Sequence, residues 1–156
     1  MARYPSDLVL FLQKGNDLLH QLIEDAAQRW QLSTPEMCIL LFLDQMPEMD
    51  TARDVARYCG MSKASVSGNV LKLATRGLLT VDVDLKDRRF QHLTLTEQAD
   101  PILNDSRGLF TQTDAQLLGI LEIEEQKQFL TLLRKMNHHL KCTDTLTANA
   151  SETGKD

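Results

Sequence analysis

The 156-residue sequence is short of the residues that staple or break a fold: three cysteines, four prolines, seven glycines, one tryptophan and two tyrosines. An odd cysteine count without Cys-x-x-Cys spacing argues against a disulfide framework and a zinc ribbon. The longest unbroken apolar run, Met37 to Leu43, falls far short of the ~20 residues of a membrane span. The opening MARYPSDLVLFLQKGND meets charge too early for a secretory signal, so a cytoplasmic protein with no membrane partner is expected. A Gly-rich phosphate loop, a nucleophile elbow, an HExxH pair and a convincing carboxylate dyad are all missing, which argues against an enzyme. His20, His92, His138 and His139 are scattered; the last two suit a helix C-terminus better than a metal site, so neither metal nor cofactor is expected. Cys38 lies inside the apolar run and reads as core. Cys59 and Cys142 would be sensors only if something lowered their pKa, and the sequence offers nothing that does.

What is present is helical periodicity, carried mainly by leucine. Asp7 to Trp30 spaces Leu8, Phe11, Leu12, Leu18, Leu19, Leu22, Ile23 and Ala26 as one long amphipathic helix with Ser6 as cap. STPEMCILLFLDQMP predicts a largely buried second helix, capped by Ser33 or Thr34 and bounded by Pro47. A short third helix, capped by Asp50 or Thr51 and stopped by Gly60, is followed by a fourth capped by Ser62 and closed by Gly77. Two short helices around a tight glycine turn form a helix-turn-helix candidate. LLTVDVD and RFQHLTL then predict a hairpin around the charged turn LKDRR. Leu78, Val81 or Val83, Phe90, Leu93 and Leu95 should cover the helices, with Asp82, Asp84, Gln91 and Thr94 facing water. Thr94-Leu-Thr-Glu97 has the form of a capping box that opens a fifth helix to about Leu118. A sixth follows from about Ile123 to Leu140, and the segment beyond Cys142, without an apolar stripe, reads as disordered.

Charge is distributed unevenly along this order. The chain totals −5, yet Thr51 to Leu95 holds eight bases and four acids, against nine bases and eighteen acids elsewhere. An acidic protein with one basic face suits a DNA binder, because counterion release rewards local positive charge whatever the total. With Val66, Val70 and Leu73 assigned to the core, the fourth helix turns Lys63, Ala64, Ser65, Ser67, Gly68, Asn69 and Lys72 outward. Small and hydrogen-bonding residues let a helix approach base edges, and asparagine can pair bidentately with adenine. Gly68 weakens a helix unless something approaches it closely. At the wing tip, Asp87, Arg88 and Arg89 suit a minor-groove contact, and Arg53 a phosphate.

The block DVARYCGMSKASVSGNVLKLATRGLLTVDVDLKDRRFQHLTLTEQA resembles the central motif of the MarR family of winged-helix transcriptional regulators. That resemblance implies a homodimer held by the first, fifth and sixth helices, a recognition helix from about Ser62 to Arg76, wing contacts through Asp87 and Arg89, and a small-molecule or oxidant signal. The first helix contains no cysteine, unlike that of family members that sense organic peroxides. Such a signal would act near the dimer junction, where Leu18, Trp30, Met37 and Phe110 serve equally well as core; the ligand pocket stays unassigned.

The expected fold is mainly α with a small two-stranded β-wing: a winged helix-turn-helix flanked by N- and C-terminal dimerisation helices. Its expected parts are residues 1–32 for dimerisation, 33–96 for DNA binding, 97–141 for the C-terminal dimerisation helices and 142–156 as tail. The expected function is sequence-specific regulation of transcription, as a repressor, by a homodimer on a pseudo-palindromic stretch of double-stranded DNA, with a small-molecule effector. The alternative is a winged-helix protein-interaction module without sequence-specific DNA binding.

Overall fold

The computed structural model describes residues 6–83 and 91–152, with side chains described as far as His139. It is mainly α with a two-stranded antiparallel sheet: helices α1 (Asp7–Arg29), α2 (Thr34–Gln45), α3 (Ala52–Tyr58) and α4 (Lys63–Thr75), strands β1 (Leu79–Val83) and β2 (Gln91–Leu95), then α5 (Asp100–Leu118) and α6 (Ile123–Glu152).

Local chemistry sets the helix starts. The Ser6, Ser33, Thr51 and Ser62 side chains accept from the amides of Val9, Glu36, Asp54 and Ser65, satisfying N–H groups that have no partner within the first turn. Reciprocal capping boxes close at Ser33 with Glu36 and at Thr51 with Asp54. Three helix ends share another device. Leu32, Met61 and Leu78 return their amides to the carbonyls of Ala27, Ala56 and Leu73, across left-handed residues at Gln31 (φ 52), Gly60 (φ 63) and Gly77 (φ 71). Glycine adopts that conformation without a Cβ penalty; Gln31 does not.

The backbone divides into two compact units, Met1–Thr111 and Gln112–Asp156. The division falls inside α5. In the first unit, Met37, Ile39 and Leu40 of α2, Val55 of α3, Val66 and Leu73 of α4, Leu79 of β1 and Leu103 of α5 are at most 2% exposed and form the centre of one apolar core. Among the residues considered for a ligand pocket, Met37 is core, while Trp30 and Phe110 pack on its edge.

Strand pairing runs Leu79 to Leu95, Val81 to Leu93 and Val83 to Gln91. Leu79 and Leu93 are buried while Asp82 and Thr94 face out, as alternation requires; Val83 and its pair Gln91 are exposed although they share the face of Leu79 and Leu93. The root of the wing is tied to the start of α3. The Leu93 amide donates to the Asp50 carbonyl at 2.7 Å, Thr51 bridges to His92, and the His92 ring meets the Asp50 carboxylate at 2.9 Å.

Two expectations need correction. The Thr94–Glu97 capping box does not form, because β2 carries Thr94 and Leu95; a short 3-10 turn, Glu97–Ala99, precedes α5, and the Thr96 hydroxyl donates instead to the Gly77 carbonyl. The disordered tail expected from residue 142 is helical as far as Glu152 as the continuation of α6: no glycine or proline interrupts the chain between Gly119 and Gly154. The turn residues 84–90, with Asp87, Arg88, Arg89 and Phe90, lie outside the described residues.

Candidate nucleic-acid interface

Helix α4 has two unlike sides. Val66, Asn69, Val70 and Leu73 are buried, at the three- and four-residue spacing of one helix face. Opposite them, Lys63, Ala64, Ser67, Gly68, Leu71, Lys72 and Thr75 are all exposed. Arg53 and Arg57 are exposed on the preceding helix, α3.

The structure moves one predicted reader inward. Asn69, placed outward from the sequence, is 9% exposed, and its amide donates to the Ser65 carbonyl at 2.9 Å and lies 3.4 Å from the Ser65 hydroxyl. Position 69 falls within the 66–70–73 stripe, and the carbonyl one turn back satisfies the amide there. Ser65 is thereby drawn half inward with it. Leu71, not singled out in the sequence, is 69% exposed. A helical wheel centred on Val66, Val70 and Leu73 places it on the far side, which was the available signal.

One of the bases, Arg76, proves to be structural. The Arg76 guanidinium donates to the Gln31 carbonyl at 2.9 Å and the Trp30 carbonyl at 3.1 Å. A cation here meets the carbonyls at the end of α1, where the helix dipole favours positive charge, and it steadies the strained Gln31. The Trp30 indole N–H in turn donates to Asp105 of α5 at 3.0 Å. The end of the expected recognition helix is therefore fixed to α1, and α1 to α5.

Glu36 is buried beneath the same region. Burial pushes its carboxyl up, but hydrogen bonds from the Ser33 amide and hydroxyl, with the charges of Lys72 and Arg76, hold it below its ordinary 4.5. Burial pushes the Cys38 thiol up; burial and the nearby Cys38 push Cys59 up to about 11. Both thiols are protonated at neutral pH, the opposite of a reactive microenvironment.

The sequence model of the MarR family matches residues 30–89, from the end of α1 to the wing. Over that stretch the chain is similar to the MarR family. Solved structures with the same winged-helix fold include a MarR protein from Peptoclostridium difficile, 15% identical with TM-score 0.72, covering 92% of this chain and 93% of that one. The S. aureus MepR–DNA complex is 20% identical with TM-score 0.60, covering 86% and 96%. CouR from Rhodococcus jostii, bound to p-coumaroyl-CoA, is 19% identical with TM-score 0.62, covering 84% and 92%. At these identities the likeness is one of fold, the fold of MarR-family transcriptional regulators.

Proposed function

We propose that the protein regulates transcription by binding a pseudo-palindromic operator as a homodimer, acting as a repressor that a small-molecule effector releases. The observation that carries this reading is the outward side of α4: small side chains that let the helix come close, between Lys63 and Lys72, with Arg53 on the adjoining helix. Lys63, Ala64, Ser65 and Ser67 contact base edges, Lys72 and Arg53 the phosphates, and Asp87, Arg88 and Arg89 of the wing the neighbouring groove. Asn69 supports the reading helix from within: its bond to Ser65 fixes the turn that presents Ser67.

A second copy is required on two grounds. Half-sites about one helical turn apart, ~34 Å, need two recognition helices. The first half of α1 also leaves Leu8, Phe11, Leu12 and Leu19 between 46% and 59% exposed, a row of large apolar side chains suited to self-association. The effector reading draws on CouR, which binds an acyl-CoA on the same fold.

Retention of genomic fragments by the purified protein at near-physiological salt, followed by footprinting, tests the proposal. A two-fold symmetric protected site supports it; weak binding, independent of sequence and erased by modest salt, would contradict it. Arg89→Ala should weaken binding and lower its salt dependence, and an unchanged affinity and slope would remove the wing from the interface. The competing protein-interaction reading draws on Val83, 48% exposed on β1. Symmetric protection that persists in Val83→Ser would dispose of it.

A further inference from the structure

Ala64, Gly68, Leu71 and Thr75 follow one another at four- and three-residue intervals, forming the ridge of α4 directly opposite Val66, Val70 and Leu73. A lone exposed leucine is ordinary on a protein surface. Two features set Leu71 apart. It is the single large apolar side chain on this ridge, 69% exposed and beside Lys72. Gly68, one turn before it, has no internal reason to be glycine: a Cβ there would meet nothing within 4 Å. Glycine weakens a helix interior, and the open space at Gly68 leaves room for a partner to approach the α4 backbone closely.

We infer that Leu71 reads thymine methyl groups in the major groove, and that Ala64 and Gly68 let the helix sit close enough for it to do so. The inference deepens the DNA-binding reading above and rests on it. Charge selects this occupant: Lys63 and Lys72 lie beside the ridge, as a polyanion demands. Of the groups a major groove presents, the thymine methyl is the one that rewards an aliphatic side chain. Leu71 thus determines base preference, while the lysines contribute affinity.

The test is selection from a randomised double-stranded DNA pool with the full chain and with Leu71→Ala, followed by binding to the selected duplex in which deoxyuridine replaces thymidine. The full chain should enrich a site with thymine at one or more positions per half-site and lose about fourfold in affinity for each contacted methyl removed. Leu71→Ala should bind both duplexes alike, with its salt dependence and melting temperature unchanged because the side chain is exposed. Gly68→Ala should raise the Tm by about 2–4 °C yet weaken DNA binding, a pairing of opposite signs that a purely structural role would not produce. An enriched site bound equally with and without the methyls, and selected equally by Leu71→Ala, would overturn the inference while leaving DNA reading intact. No enriched site at all would overturn both readings and leave the ridge to a protein partner.

Discussion

The outward ridge of α4 and the first half of α1 both expose apolar side chains, but in opposite settings. On α4 a single leucine stands among small residues between two lysines, whereas α1 presents Leu8, Phe11, Leu12 and Leu19 on one face. One arrangement suits a charged partner with apolar detail, the other a partner as apolar as itself. The difference shows that exposure alone does not identify an occupant; the charges around it do.

The largest expected effect comes from breaking the α1 side. Phe11→Glu with Leu12→Glu would bury carboxylates in the proposed self-association surface, weakening dimerisation at least about 100-fold. Sedimentation equilibrium should then show monomer with an unchanged helical spectrum. Breaking the α4 side is next: Lys63→Ala with Lys72→Ala should weaken DNA binding about tenfold or more and lower the slope of log affinity against log salt by about 2, read by fluorescence anisotropy across a salt series. Dimerisation should not change.

Arg76→Ala sharpens the comparison, because this base joins the two regions without belonging to either face. It should cost about 1 kcal/mol of stability in urea unfolding and reduce DNA affinity while leaving the salt slope as it was. A reduced slope would return Arg76 to the phosphate contacts. The smallest effect is at Glu36. Its carboxyl lies below 4.5 when folded, so the stability it contributes is fully present above that pH and is lost as pH falls through the lower folded value. Glu36→Gln keeps the capping geometry, and should cost only about 0.5 kcal/mol at pH 7 and flatten the acid limb of the stability profile.

Much of this was legible in the sequence because it is local. Ser6 and Ser62 cap the helices that follow them, and Gly60 and Gly77 end the helices before them, through bonds that span only a few residues. The winged helix-turn-helix followed from those punctuation marks and the strand alternation. What escaped depends on long-range partners or competing local ones. Arg76 reaches Gln31 across 45 positions, and His92 reaches Asp50 across 42, so neither bond leaves a trace in spacing. Asn69 looks like a reader by residue type, but the carbonyl of its own helix satisfies it. The position of Leu71 is legible on the helical wheel, but its aliphatic side chain carries no chemistry that spacing alone singles out.

We propose that α1 faces a second copy of the chain and that α4 faces DNA. Analytical ultracentrifugation of the full chain with its footprinted fragment tests it most directly. Two chains per protected site are expected, with Phe11→Glu, Leu12→Glu reducing the complex and Lys63→Ala, Lys72→Ala abolishing it at physiological salt while the free protein stays dimeric. A single chain protecting the whole site, or a complex indifferent to the lysine pair, would contradict it.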